Sequence, residues 1–571
     1  MNLSFLKNIK FSFSLIVVIL ITLSLNNKAN INNGWSKNKI IVHDTKIYYA
    51  YLPAFFIHND FNFKYLKDVP FKRRPPAKKL DNGNRILKTT CGNAVMQTPA
   101  FLLAHAHSKI KGEKANGYSD TYDYYIAISA IIYALLAMLL LRKILANYFN
   151  DWVVGLVLIS IVLASNIYFY IVYEPSMTHI HSFFLYAVIL NATINWHKKP
   201  SFKYAIYLGL AGGLATLIRP TNLFIFAIPF FYGMYNKESF LQKFNLVKTN
   251  WKQLIALCLS VFIFPSLQIM YWYEQTGNFM HYSYGEEAFY FGNSHVFEGL
   301  FSFRNGFFTY APLMLLSVLG LYSFSKKGKE LILSFSVFFP IMIFVSFSWW
   351  CWWYAGSFGN RALSETVALM AIPLGFFYQF LFDKIKWSYI VLVPTILFCS
   401  YLLSHQAWQH SKGIHHYDSM TWEGYKAIFL KNEVPKNIHD LLNAPDYINA
   451  KKGNAEYTNW TEINKHHKFL GKELLLPDFE QNDSLTVTCE VLGALKARER
   501  KLSIVLEQDG SPKHYERVVL NYDYLKKIVS NKFDIKFSLS KLKNNKKINI
   551  YYWYTGETKV YVKPLVVKPS Y

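Results

Sequence analysis

Residues 124–141 read YYIAISAIIYALLAMLLL, an apolar run that ends at Arg142-Lys143. A helix needs about 20 predominantly apolar residues to cross the hydrocarbon core of a bilayer. Ten further runs are comparable, so the sequence predicts a polytopic α-helical membrane protein with about eleven transmembrane helices. The pair within 203–235 is short enough to form tilted or broken helices. The other runs lie near 9–26, 152–172, 178–195, 203–218, 221–235, 253–273, 307–324, 331–348, 366–382 and 387–404.

Basic residues mark one side of the predicted helices. Cytoplasmic loops of membrane proteins carry an excess of Lys and Arg, and every second loop of this chain is basic. The pattern predicts a cytoplasmic N-terminus and an external C-terminus. The run 9–26 is followed by no small-x-small cleavage site, so we interpret it as an uncleaved span rather than a signal peptide. The basic loops are 142–143, 197–199, 237–252, 326–329 and 383–386.

The net charge is +25, from 61 basic and 36 acidic residues. In a soluble protein this balance would suggest nucleic-acid binding. Here many basic residues lie in the loops and flanking segments, where they set topology and attract anionic lipid headgroups. We therefore predict membrane lipids as partners and no nucleic acid. The 5 cysteines form no close pair and no metal-ligand spacing, so they do not support a disulfide framework.

The composition divides the chain into three parts. Residues 1–405 form the predicted transmembrane domain, with 27–123 as a long first outer loop and 274–305 as a second. Residues 406–476 are a connecting segment. Residues 477–571 read as short alternating strands separated by turn residues, which predicts an outer all-β sandwich domain. The predicted strands are 484–491, 502–507, 517–522, 533–539, 549–554 and 559–567.

The first outer loop contains the acidic candidates for catalysis, Asp44 and Asp60. An acid held at the membrane edge beside aromatic rings can act as a general base or as a metal ligand. Asp44 also fits the N-cap of a helix over 48–57, and the two roles are compatible. The neighbouring candidates for lining the site are Tyr48, Tyr49, Tyr51 and His58.

Single arginines lie at three outer edges, at Arg219, Arg304 and Arg361. Guanidinium groups bind phosphate oxygens well, so these residues predict a site for a phosphorylated lipid headgroup. The alternative for each is snorkelling to the membrane interface. Aromatic rings near Arg361 can stack on sugar faces or line a groove for a prenyl chain. The lining candidates of that region are Trp350, Trp353 and Glu365.

The predicted spans contain essentially no Asp, Glu, Lys or Arg. Ion-coupled transporters usually need ionisable groups near the membrane midplane, so this absence counts against a transporter. His179 and His181 are two residues apart and cannot share a helix face. We interpret them as hydrogen-bonded residues near the outer end of a helix rather than as metal ligands.

The layout of residues 1–405 resembles the GT-C-type membrane glycosyltransferases, whose relatives include protein O-mannosyltransferases and lipid A aminoarabinose transferases. The features shared are an acid shortly after the first span, a long first outer loop and a soluble outer C-terminal domain. The segments 48–54, 92–105 with Pro99, 300–306 and 349–365 are similar to those of a bacterial branch. The resemblance implies a multi-pass protein of the bacterial inner (cytoplasmic) membrane.

The resemblance also implies a reaction: transfer of a sugar from a polyprenyl-phosphate-linked donor to a lipid, glycan or protein acceptor on the outer (periplasmic) face. Asp44 matches the family acid that deprotonates or orients the acceptor, and Asp60 is the reserve. Thr45 stands where the family's paired acidic motif has a second acid. A divalent metal is left open, and no other cofactor is implied.

The implied chemistry is coherent because cytosolic nucleotide sugars cannot reach an outer site, whereas a lipid-linked phosphosugar can. Phosphate would be the leaving group, and arginines would stabilise its growing charge. Two alternatives belong to other classes. A lipid or polysaccharide translocator requires polar residues deep in the spans. A membrane-anchored glycan-binding protein that uses its C-terminal domain needs neither Asp44 nor the arginines.

Overall fold

A computed structural model describes residues 10–30, 40–285, 287–435 and 438–442, together with strand segments between 461 and 570. The chain divides into two compact units, Met1–Lys436 and Asn437–Tyr571. The first part of the segment 406–476, predicted as a connection, therefore belongs to the first unit.

The first unit is mostly helical, and each of the eleven apolar runs of the sequence overlaps one or more helices. Among the described residues, five helices are long and apolar enough to cross a membrane: Asp120–Leu145, Trp251–Thr276, Lys329–Phe347, Arg361–Lys384 and Ser388–Ser411. The chain is thus a multi-pass membrane protein, and the count of about eleven spans stays a prediction. The remaining α-helices are Phe11–Asn30, Thr45–Tyr49, Tyr51–Pro53, Gly92–Ile110, Asp151–Leu163, Ile167–Val172, Thr178–Lys198, Phe202–Ile218, Ala227–Phe231, Lys237–Thr249, Val296–Phe301, Phe307–Tyr310, Leu315–Lys327 and Trp422–Ile428.

Several predicted spans are broken helices. The run 221–235 forms a 3-10 helix, Pro220–Phe226, and a short α-helix, Ala227–Phe231. The run 152–172 is likewise divided into Asp151–Leu163 and Ile167–Val172. A residue before proline is disfavoured in the helical conformation, and Arg219 accordingly has φ −147° and ψ 121°. Arg219 thus ends helix Phe202–Ile218 in an extended conformation.

Close helix contacts depend on glycine in the helix that leads to Arg219. A Cβ atom at Gly209 or Gly213 would overlap the carbonyl oxygens of Leu257 and Val261 on the facing helix. A Cβ at Gly92 would overlap the backbone at 217–218. The end of helix Phe202–Ile218 is therefore packed against both a span and the first outer loop, which fixes the position of the residue that follows.

The first outer loop is a folded element with its own core. The run predicted as a helix over 48–57 is helical from Thr45 to His58, with a π-helical last turn at Ala54–His58. Buried Arg73 forms an ion pair with Asp123 at the start of helix Asp120–Leu145. An unpaired charge at a buried position is costly, so this pair ties the loop to the helical body.

The second unit contains antiparallel sheets. The strand orders are Phe469–Leu475, Lys547–Tyr554, Leu502–Gln508, Ser511–Arg517 in one sheet, and Val566–Ser570, Ser484–Leu492, Val560–Val562, Thr461–Ile463 in the other, where Asn531–Ser538 also pairs with Ser484–Leu492. Packing of these sheets as a sandwich stays a prediction.

The described strands differ from the predicted ones. Strand Ser511–Arg517, in which Ser511 pairs with Gln508, lies where no strand is predicted, and the strand predicted at 517–522 lies, except for Arg517, outside the described residues. The strands Thr461–Ile463 and Phe469–Leu475 were not predicted, because they precede the assumed domain start at 477.

Candidate active site

One ion pair joins the first outer loop to the segment that follows the tryptophan-rich loop. Arg361 Nη2 lies 3.2 Å from Asp44 Oδ2. Asp44 occupies the N-cap position of helix Thr45–Tyr49, but its side chain forms no capping hydrogen bond, so that part of the sequence interpretation is wrong. The carboxylate contacts the guanidinium instead, and 36% of the Asp44 side chain remains exposed. We call Arg361 and Asp44 the open pair.

A second ion pair is buried. Arg219 Nη1 donates to Glu365 Oε1 at 2.8 Å, and Glu365 Oε2 lies 3.0 Å from His179 Nδ1. The Glu365 side chain is fully buried, whereas Arg219 retains 18% exposure. The interpretation as a hydrogen-bonded residue at a helix end is confirmed for His179, the second residue of helix Thr178–Lys198, whereas both buried ring nitrogens of His181 lack a hydrogen-bond partner among the described residues. We call Arg219 and Glu365 the closed pair.

The backbone around Arg361 is held by local polar contacts. Asn360 accepts from the Ala362 N–H at 3.2 Å and donates to the Trp352 carbonyl at 2.9 Å. Gly359 has φ +59°, and a Cβ there would overlap the side chain of Asn166. Only glycine combines that backbone conformation with that close approach. The tryptophan-rich loop is thereby anchored immediately before Arg361.

Tyr48 connects the two pairs. Its phenol is under the electrostatic influence of Asp44 and Glu365 as well as of both arginines, and burial together with Asp44 raises its pKa to about 12. Tyr354 adds a second ring, whose centroid lies 5.9 Å from the Arg219 guanidinium. The open and closed pairs thus both lie within electrostatic range of the Tyr48 phenol, with the Tyr354 ring beside Arg219, and we call these residues the two-arginine cluster.

Glu174 is a further acid of this cluster that sequence reasoning missed as a site residue. It lies between helices Ile167–Val172 and Thr178–Lys198. Burial raises the pKa of its carboxyl to about 7, an effect that Arg361 opposes and Asp44 reinforces. A signal was available, because Glu174 is an isolated acid in a short loop on the same predicted side as Arg219.

Arg304 belongs to a different assembly. Its Nε donates to the Asp418 carbonyl at 2.7 Å, and its guanidinium lies 3.6 Å from the centroid of a Trp353 ring. The Trp353 indole N–H donates to Asp418 Oδ1 at 2.5 Å, and Trp353 is fully buried. We call Arg304, Trp353 and Asp418 the Arg304 assembly. The contacts of Arg304 are thus distinct from those of Arg219 and Arg361, although Arg304 and Arg361 both act electrostatically on Cys351.

Asp60, the reserve acid, has local partners. Its carboxylate accepts the backbone N–H groups of Asn62 at 3.0 Å and Tyr65 at 3.1 Å. The ring of His58 stacks on Tyr65 with centroids 4.1 Å apart. These contacts order the turn after helix Thr45–Tyr49 and its continuation.

The remaining predicted lining residues differ in their environment. Tyr49 and Tyr51 are buried in the core of the first loop and donate to the carbonyls of Gly117 and Thr89, each at 2.6 Å. Trp350 is half-buried, with its ring centroid 6.4 Å from that of Trp353. Among these predicted lining residues, Tyr48 and Glu365 are the ones that the contacts above place in the two-arginine cluster.

A metal ion has no fitting ligand set in the part of the chain that the structure describes. No group of three His, Cys, Asp or Glu side chains lies close enough there to hold one. In the cluster, Asp44 and Glu365 each already face an arginine.

Fold and site together define a class: a multi-pass helical membrane protein with a partly exposed carboxylate beside one guanidinium group and a buried carboxylate beside a second. The sequence matches no protein-family model and no curated protein. Among solved structures, it is similar to the Archaeoglobus fulgidus oligosaccharyltransferase in the apo form, with 14% identity, a TM-score of 0.44, and coverage of 77% of this chain and 60% of that one.

Two further solved structures resemble the chain. The oligosaccharyltransferase AglB from the same archaeon, in complex with an inhibitory peptide and a dolichol-phosphate, gives 13% identity, a TM-score of 0.42 and coverage of 76% and 59%. Arabinosyltransferase EmbB from Mycobacterium smegmatis gives 9% identity, a TM-score of 0.33, and coverage of 97% of this chain and 64% of that one. The chain thus spans about three fifths of the length of these proteins, which are GT-C-type membrane glycosyltransferases. These values assign no activity to the chain.

Proposed function

We propose that this protein is a membrane glycosyltransferase that moves a sugar from a polyprenyl-phosphate-linked donor to a lipid, glycan or protein acceptor on the outer face of the membrane. One observation carries the proposal. Asp44, Arg219 and Arg361 are far apart in sequence, and their side chains share one cluster with Tyr48. A phosphate group and an attacking hydroxyl need this combination of two guanidinium groups and one carboxylate.

Phosphate binding is assigned to the two arginines. Each guanidinium carries five N–H donors in a fixed fork, and the contacts to Asp44 and Glu365 at 3.2 and 2.8 Å each involve one nitrogen. Further donors of both groups can therefore serve a phosphate. Because Arg219 and Arg361 are each partly exposed, a ligand can reach them without unfolding the site.

The transfer step is assigned to Asp44. The acceptor hydroxyl gives its proton to the Asp44 carboxylate while its oxygen bonds to the anomeric carbon of the sugar. The bond between that carbon and the phosphate oxygen breaks, and its electron pair stays on the phosphate. The growing negative charge is stabilised by Arg361 and Arg219. Asp44 suits the role of the base because it is the accessible carboxylate of the two ion pairs.

The membrane explains the form of the donor. The cluster lies at the helix ends that the positive-inside pattern assigns to the outer face, where cytosolic nucleotide sugars are absent. A polyprenyl chain can remain in the bilayer while its phosphate reaches the cluster. The proposal accordingly includes a bacterial inner-membrane location with a cytoplasmic N-terminus and a periplasmic C-terminal unit.

The test is a turnover assay on the full chain in membranes. Wild type is supplied with a panel of polyprenyl-phosphate sugars and with lipid, glycan and peptide acceptors, and released polyprenyl phosphate is measured. We expect release with at least one donor and a loss of about 10²- to 10⁴-fold in Asp44→Asn. Asp60→Asn is the matched control, since it changes an acid of the same loop and should retain activity.

Two results would contradict the proposal. Wild type that releases polyprenyl phosphate from none of the donors, although it is folded, would argue against glycosyl transfer. Equal activity in wild type and Asp44→Asn would show that another group acts as the base.

A further inference from the structure

The proposed transfer step gives no role to Glu365. This residue is nevertheless the fully buried partner of one of the two arginines. Resting on the proposed function, we propose that Glu365 sets the charge of the phosphate site so that it weakens binding of the product, a phosphomonoester, more than binding of the donor, a phosphodiester. Glu365 acts in this way through Arg219.

The donor and the product differ in charge. A sugar-phosphate-polyprenyl diester carries one negative charge. The polyprenyl phosphate that leaves is a monoester, whose second pKa of about 6 gives it close to two negative charges at neutral pH. Two uncompensated guanidinium groups would therefore hold the product more tightly than the donor, and release would limit turnover.

The contacts of Glu365 hold its carboxylate in place as a counter-charge to Arg219. Its side chain has no exposed surface, one oxygen accepts from Arg219 Nη1 at 2.8 Å, and the other is 3.0 Å from His179 Nδ1. Each carboxylate oxygen thus contacts a different side chain, and neither oxygen is accessible to water that could replace the contact. In Asp44 the carboxylate is instead more than one third exposed, and its Oδ2 lies 3.2 Å from Arg361 Nη2. An entering ligand can therefore reach Asp44 more readily than it can reach Glu365.

The effect on the two ligands is unequal. Coulomb energy scales with the product of the charges, so a fixed carboxylate behind Arg219 repels a dianion about twice as strongly as a monoanion. Neutralising that carboxylate should strengthen binding of the monoester more than binding of the diester. At the effective dielectric of a partly exposed site, the difference is roughly tenfold in relative affinity.

The experiment measures the binding of farnesyl phosphate and of methyl farnesyl phosphate, a monoester and its diester, to the full chain in phosphatidylcholine nanodiscs at pH 8. In Glu365→Gln the preference for the monoester over the diester should rise about tenfold over wild type. Glu365→Asp, which keeps the charge, should resemble wild type. Glu330→Gln is the matched control, because this carboxylate lies at the start of helix Lys329–Phe347 and contacts Tyr148.

Two further measurements separate charge from structural damage. At pH 5 the monoester carries about one charge, so the change in preference caused by Glu365→Gln should shrink to about threefold or less. In the double variant Arg219→Gln/Glu365→Gln the rise at pH 8 should disappear, because the effect runs through Arg219. A misfolded variant would instead lose both ligands at both pH values, and Glu365→Asp then carries the test: a changed preference in that folded variant overturns the proposal.

The outcomes distinguish this inference from the proposed function. Wild type that binds neither ester overturns the phosphate site itself. Wild type that binds both esters, with an unchanged or reduced monoester preference in folded Glu365→Gln, overturns only the role of Glu365.

Discussion

The open pair and the closed pair consist of the same two kinds of side chain, yet they differ in what surrounds them. In the open pair the Asp44 carboxylate reaches solvent, whereas in the closed pair the Glu365 carboxylate is sealed between Arg219 and His179. An exposed ion pair contributes little to stability, and removing one partner of a buried pair is costly. Under the proposed function, we infer that the first pair is reactive and that the second has a structural and electrostatic role.

The largest expected effect is a difference in the free energy of unfolding between variants of the two arginines. Arg219→Gln leaves Glu365 buried without its cationic partner and should lower the free energy of unfolding by about 3 kcal/mol. Arg361→Gln should cost below about 1 kcal/mol, because Asp44 can be hydrated. Thermal unfolding of both variants in the same detergent checks this. Equal shifts of the unfolding midpoint would remove the distinction between the pairs.

The Arg304 assembly extends the comparison to the third outer arginine. Arg304→Ala removes the hydrogen bond to the Asp418 carbonyl and the stacking on Trp353. The expected loss is about 2 kcal/mol of unfolding free energy, measured by thermal unfolding with Arg85→Ala, at an exposed position of the first loop, as the control. An unfolding midpoint that does not move would show that Arg304 is not a structural residue.

The three outer arginines show how far the sequence could be interpreted. Their isolation at the ends of apolar runs predicted the same phosphate-binding role for Arg219, Arg304 and Arg361. The structure gives them different partners, and partners such as Asp418 of Arg304 and Glu365 of Arg219 lie far away in the chain. Hydropathy patterns fix which helix end a residue occupies, but they do not determine which other helix ends lie beside it.

The elements of the fold show the same limit. Apolar runs located the helices because a bilayer imposes length and composition on each one separately. The breaks at Arg219-Pro220 were visible as a proline signal. The exact strands of the second unit were harder, since strand pairing joins distant segments, as between Phe469–Leu475 and Lys547–Tyr554. Asp44 was selected as an acid, whereas its contact with Arg361 could not be predicted.

A smaller effect concerns pH and sharpens the account of the open pair. The raised pKa of Glu174, about 7, means that the folded site prefers the protonated carboxyl. The associated stability is present below the unfolded pKa and is lost as the pH rises through about 7. Because the ionised form adds a negative charge near Arg361, the KM for a phosphodiester donor should rise about threefold between pH 6 and pH 8.

The matched variant for the pH prediction is Glu174→Gln, which cannot ionise. Its KM for the donor should stay near the low-pH value of wild type across the same range. The donor itself keeps one charge over this interval, so its own titration does not contribute. A wild-type KM that is flat between pH 6 and pH 8 would argue that Glu174 does not act on the phosphate site.

The central claim is that the open pair is the reactive part of the molecule and that the Arg304 assembly is not. The most direct measurement is kcat/KM for a polyprenyl-phosphate sugar, per folded protein, in Arg361→Gln and Arg304→Gln side by side. We expect a loss of about 10²- to 10³-fold for Arg361→Gln and activity within about threefold of wild type for Arg304→Gln. The reverse order, or equal losses in both variants, would contradict the account.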